Sequence, residues 1–144
     1  MANQTMIKYG YPDSVVGETT YWSVLMRSGQ LTAGCVVLVC KEDGMGLGNI
    51  SPEAGAELPI VASKIEAAVG AAFSPEKFNY LAFMMNDPHV HFHVIPRYSQ
   101  SVEVGGAEIP DPTWTKPPNM GAAADLTDDQ KATIHKMLKD NWPR

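Results

Sequence analysis

Three of the four histidines stand at His89, His91 and His93, alternating with Val90, Phe92 and Val94. In an extended strand, residues i, i+2 and i+4 share one face, so the three imidazoles are expected to project together with the apolar residues behind them. Imidazole is largely unprotonated near neutral pH, which suits it to bind metal, to take protons or to attack an electrophile. A solvated strand, or a core one with satisfied histidines, accounts for one such residue more readily than for three in strict alternation. A metal site meets a geometric obstacle. Same-face neighbours are about 6.6 Å apart and the outer pair about 13 Å, whereas zinc–nitrogen bonds are only about 2.0–2.1 Å. Adjacent pairs could chelate, but Asp87 is the only acidic neighbour and no Cys lies near. Attack at phosphorus fits the row better. One imidazole would bond to phosphorus while its neighbours contact the phosphate oxygens, splitting a hard displacement into two steps through a phosphohistidine-type intermediate.

The elements that must hold this row can be read on either side of it. Phe78–Asn86 and His89–Tyr98 read as two strands, and Asp87-Pro88 between them has turn chemistry, so an antiparallel hairpin is expected. Residues 14–27 are rich in β-branched and aromatic types and read as two short strands or a hairpin bent at Gly17-Glu18, followed by a turn at Ser28-Gly29-Gln30. Cys35-Val-Val-Leu-Val-Cys40 is an unbroken apolar run that suits a strand covered on both faces. The Gly44, Gly46 and Gly48 stretch matches neither the dinucleotide fingerprint nor the Walker lysine motif and reads as a connector. Ser51-Pro52-Glu53 is a helix start, and Leu58, Val61, Ala62, Ile65, Ala68, Val69 and Ala72 form one apolar stripe behind it. Pro59 is expected to bend that helix, and Phe73-Ser74-Pro75 to end it. The stretch from Ser99 to Ala124 carries repeated Pro and Gly and reads as irregular chain with Trp114 as an anchor. Thr127 and Gln130 have capping-box spacing and open a last helix that buries Ile134, Met137 and Leu138. Met84 and Met85 read as core filling, Arg97 as an ion-paired residue at a strand end, and His135 as a surface histidine.

Composition bounds the partners. The chain has 144 residues, room for one ordinary domain with a real core. Eleven Lys and Arg against sixteen Asp and Glu give a net charge of −5, with no basic block, which argues against a nucleic acid polymer or an anionic membrane surface. No apolar run reaches the roughly 20 residues that span a bilayer, and Met1–Lys8 has no secretory character. Cys35 and Cys40 are oddly spaced on one strand and point to opposite faces, so no disulfide is expected between them and a reducing, cytoplasmic compartment is the simplest reading. Strands outnumber helices and the clearest pair is a hairpin, so the expected class is α+β with a mainly antiparallel sheet, one long helix and one C-terminal helix.

His89-Val-His-Phe-His-Val-Ile-Pro-Arg97 resembles the signature of the histidine triad (HIT) superfamily, and its Pro-Arg tail resembles the branch of the fragile histidine triad, or dinucleoside polyphosphate, hydrolases. Leu31–Val39, Ser51–Val69 and Phe83–Asp87 are similar to further parts of that family, so the likeness spans roughly residues 14–98. The expected layout is a single HIT-like domain over 1–144, with its core at 14–98, a Pro/Gly-rich loop at 99–125 and a C-terminal helix at 126–142. The resemblance implies a nucleotide hydrolase or nucleotidyl transferase that cleaves at the α-phosphorus of a dinucleoside polyphosphate or nucleoside phosphoramidate. His91 would be the nucleophile, His93 would contact the α-phosphate, His89 would brace the site, and Asn86 would contact the scissile region. Leu25, Arg27 and Val37 would line the base and ribose pocket. Cys35, counted with them, stands where relatives place a fourth, supporting histidine, and Arg27 stands where an Asn often contacts ribose. The likeness further implies a homodimer and no tightly bound catalytic metal or cofactor. A nucleotide-binding module without turnover, or a metal-binding sheet using His pairs, are the alternatives.

Overall fold

The computed structural model describes residues 2–144. In chain order the elements are α1 (Gln4–Lys8), β1 (Val15–Glu18), β2 (Trp22–Met26), β3 (Val36–Cys40), α2 (Pro52–Phe73), β4 (Lys77–Leu81), β5 (His91–Arg97), β6 (Val102–Val104), β7 (Ala107–Ile109) and α3 (Asp128–Asp140). Five strands form one antiparallel sheet in the order β1-β2-β3-β5-β4. The α+β class, the long helix and the C-terminal helix are as the sequence predicts.

One face of the sheet carries the main core. Val24, Val36, Leu38, Val90 and Val94 meet Val61, Ile65 and Val69 of α2 and Ile134 and Leu138 of α3. Buried side chains of α2 recur at the helical spacing expected from the stripe. Ser51 caps it by accepting from the Ala54 amide at 3.0 Å, and Ser74 ends it in the left-handed region at φ 55°. The helix runs unbroken through Pro59, which is exposed. The capping box of α3 is formed in both directions between Thr127 and Gln130. Gly17 is required by packing: a Cβ there would lie 2.1 Å from the Trp142 indole.

Several expectations are corrected. The predicted strand over Phe78–Asn86 stops at Leu81, and the tight turn at Asp87-Pro88 is instead part of a long connection, because register closes only at Leu81 opposite His93. Phe83 keeps 47% of its surface exposed and Met85 81%, so Met85 fills no core. The strand of the histidines begins at His91, leaving His89 just outside it, although the Val90 carbonyl still accepts from the Cys40 amide at 2.9 Å. Within the stretch read as irregular, β6 and β7 form a hairpin whose turn residues Gly105 and Gly106 have φ of 56° and 85°, a geometry that favours glycine at both places. Trp114 is only half-buried and joins no core cluster. That stretch is anchored by Arg97 instead, whose Nε donates to Asp111 Oδ2 at 2.7 Å in a pair almost wholly buried. His135 is half-buried and its Nε2 donates to the Val15 carbonyl at 2.8 Å. Among the described residues no helix is long and apolar enough to cross a membrane. Cys35 and Cys40 are both free and buried.

Candidate functional site

The other face of the sheet carries the site. Register aligns Ser23, Val39 and His91 in one row across β2, β3 and β5, and Leu25, Val37, His93 and Leu81 in the next. The three histidines lie together and are buried, with His89 at 7%, His91 at 1% and His93 at 6% exposure.

Each imidazole has a distinct environment. His91 Nδ1 lies 2.7 Å from the His89 carbonyl oxygen. A carbonyl can only accept, so Nδ1 carries the proton and Nε2 carries the lone pair. That Nε2 is buried and has no partner. His89 is held by Thr5: its backbone N–H donates to the hydroxyl oxygen at 3.3 Å, and its ring Nδ1 lies 3.0 Å from the same oxygen. His93 packs edge-on to His91, centroids 5.3 Å apart, and its Nδ1 is buried without a partner. Burial, then the charges of Arg27 and His91, push its pKa down to about 4, so it is neutral at pH 7.

The residues the family likeness assigned to substrate fall into four places. Leu25 and Val37 are fully buried and form an apolar cluster with Val39 beneath Met6 of α1. Cys35 packs with Leu31 and Ile95, and burial pushes its thiol up, so it stays uncharged. Arg27 lies near enough for its charge to act on His93, Tyr9 and Cys35. Its guanidinium donates to the carbonyls of Gly29 and Met120, while Nε is buried without a partner. Asn86 is exposed on the connection before β5.

The sequence reading missed the N-terminal segment. Asn3 caps α1 by accepting from the Met6 amide at 3.0 Å and donates through Nδ2 to the Cys40 carbonyl at 2.9 Å. The Tyr9 ring lies 6.0 Å from that of His91 and 5.7 Å from that of His93. Its hydroxyl donates to Asp87 Oδ2 at 2.9 Å, and Lys8 Nζ lies 2.6 Å from Asp87 Oδ1. Burial, then the Asp87 bond, push the Tyr9 phenol up to about 12. Burial also opposes ionisation of Asp87, but the bonds from Lys8 and Tyr9 prevail and hold its carboxyl below the usual range. Apart from Asn3, a capping type, nothing local marks this segment.

Of the buried polar atoms without partners, Ser23 Oγ, His91 Nε2 and His93 Nδ1 belong to residues on this one face, and Arg27 Nε follows just beyond the end of β2. Each such group costs about 1–3 kcal/mol if it stays unpaired, so this face carries a concentrated cost in stability. No group of three or more metal-ligating side chains is disposed to hold an ion among the described residues.

Among curated proteins none matches the sequence. A histidine triad (HIT) protein from Sinorhizobium meliloti superposes with a TM-score of 0.73 at 20% identity, covering 98% of this chain and 96% of that one. A hypothetical histidine triad nucleotide-binding protein from Sulfolobus tokodaii superposes with a TM-score of 0.68 at 14% identity, covering 95% and 88%. The NitFhit protein of C. elegans superposes with a TM-score of 0.62 at 20% identity, covering 89% of this chain and 27% of that one. The HIT domain family matches residues 10–100, well over half of the sequence, and the chain belongs to that family.

Proposed function

We propose that the protein is a nucleotide hydrolase or nucleotidyl transferase of the fragile-histidine-triad kind, acting at the α-phosphorus of a dinucleoside polyphosphate or nucleoside phosphoramidate. The observation that carries this reading is the fixed tautomer of His91. With Nδ1–H committed to the His89 carbonyl, the Nε2 lone pair is the free nucleophile. In the first step Nε2 bonds to phosphorus, the bond to the leaving group breaks, and its electron pair departs with that group. The positive charge left on the imidazole is stabilised through the Nδ1–H bond to the carbonyl oxygen. In the second step water attacks phosphorus, the N–P bond breaks with its electron pair returning to Nε2, and the proton lost by the water passes to solvent. In this reading His93 and Arg27 would contact the phosphate oxygens, Arg27 supplying the positive charge. His89 is a positioning residue, since its carbonyl sets the tautomer of His91.

We also propose a homodimer. β4 is an outer strand of the sheet, and a mainly apolar groove of about 310 Å³ lined by Leu58, Pro59, Ala62, Glu66, Tyr80 and Phe92 lies beside it. Light scattering at micromolar concentration is expected to give twice the chain mass, and a monomer would overturn this.

Labelled dinucleoside polyphosphates and nucleoside phosphoramidates, incubated with the protein, are expected to leave acid-labile, base-stable label on it. That label should disappear in His91→Ala and His91→Asn. Tight nucleotide binding with neither label nor product over hours would favour the non-catalytic module.

A further inference from the structure

The reacting nitrogen of His91 is buried, so in this arrangement no substrate reaches it. The rings against the triad belong to Tyr9 and to Phe83, the latter 6.2 Å from His93. Tyr9 lies in a segment that begins with α1, a five-residue helix too short to persist without tertiary contacts. Besides the packing of Met6 on Leu25 and Val37, three polar attachments hold that segment: Asn3 to the Cys40 carbonyl, Thr5 to His89, and Lys8 and Tyr9 to Asp87. The last is the most exposed, with Lys8 at 54% and Asp87 at 15% side-chain exposure. Ser23, His91 and His93 keep unpaired polar atoms on the face the segment covers, so the covered state forgoes hydrogen bonds there.

Building on the nucleotide reading, we propose that Asp87 is a positioning residue for the reaction. Through the Tyr9 hydroxyl and Lys8 it holds residues 3–11 over His91 and His93, and its release admits the nucleotide. Asp87 then acts on access rather than on chemistry. Weakening it should raise the population of the open form, which lowers KM and leaves kcat near its original value.

Reaction of the unliganded protein with diethyl pyrocarbonate tests this without any substrate, because the reagent modifies unprotonated imidazole nitrogen. Peptide mass spectrometry would follow His91, with His135 as an internal control for unfolding. Modification of His91 is expected to be much slower than that of free N-acetylhistidine. It should rise about tenfold in Asp87→Ala, a factor appropriate to losing a charged hydrogen bond. Tyr9→Phe, which removes only the hydroxyl, should give a smaller rise, and Asp87→Glu should restore slow reaction. The His135 rate should stay constant throughout. His91 reacting as fast as free histidine in the unaltered protein would overturn the proposal, as would a rate unchanged in both Asp87→Ala and Tyr9→Phe. Faster modification with no turnover of any nucleotide would leave the gate standing and remove the hydrolase reading. Label transfer to His91 at unchanged KM in Asp87→Ala would do the reverse.

Discussion

The two faces of the central sheet are built by different rules. On the helix side, aliphatic residues of β2, β3 and β5 meet the long stripe of α2 and two residues of α3, and the packing is continuous. On the triad side, the apolar cluster is small, it is closed by a five-residue helix, and unpaired polar atoms lie within it. A face packed for stability spends its buried area on dispersion and dehydration. A face that buries polar groups without partners does so at a cost in stability, and the difference between the two should be measurable.

The largest expected effect falls where the sheet grips the irregular stretch. Arg97→Ala would leave Asp111 buried without its counter-charge and should cost about 3–5 kcal/mol in denaturant unfolding. Asp111 is itself opposed by burial but held below the ordinary carboxylate range by Arg97. A depressed carboxylate stabilises the fold above its unfolded pKa, and that stability is lost as pH falls through the folded value. The acid limb of the stability curve should therefore flatten in Asp111→Asn.

Next comes the helix face itself. Ile65→Ala, at 1% exposure between sheet and helix, should lose about 2–5 kcal/mol. A loss below about 1 kcal/mol would erase the contrast between the faces.

The triad side should respond to pH. His93 is held neutral, with a folded pKa near 4 against 6.5 for the free side chain. Between those values the unfolded chain binds more protons, so stability should fall as pH drops from 6.5 towards 4. Its ring resonance in NMR should titrate near 4, and a midpoint near 6.5 would show an open, solvated site. The smallest effect is expected at Ser23→Ala, which removes an unpaired buried hydroxyl. Stability should stay level or rise by up to about 1 kcal/mol.

Much of this was legible locally. The cap at Ser51, the capping box at Thr127 and the apolar run of β3 each act through neighbours in sequence, and each formed where the residues indicate. The alternation of the triad placed His91 and His93 on one face and Val90 and Val94 on the other, because strand geometry alone decides that. What escaped depends on contacts distant in sequence. α1 has too few residues for a periodic signal, and its place comes from Met6 meeting Leu25 and Val37 and from the bonds of Asn3 and Thr5 to distant residues. The connection before β5 is drawn to Lys8 and Tyr9 through Asp87, and no residue between Phe83 and Pro88 foretells that bond. The β6–β7 hairpin was readable from Gly105-Gly106 between alternating residues, but the surrounding prolines masked it.

The stretch between Pro110 and Ala124 has little regular structure, yet it is tied down at both ends. Asp111 is clamped by Arg97 on the triad strand, and the Ala124 amide donates to the Gln30 carbonyl at 2.8 Å. A chain pinned in that way behaves as a strap. A protease cut near its exposed middle, around Lys116, would produce two fragments that stay docked on the sheet and separate only on denaturation.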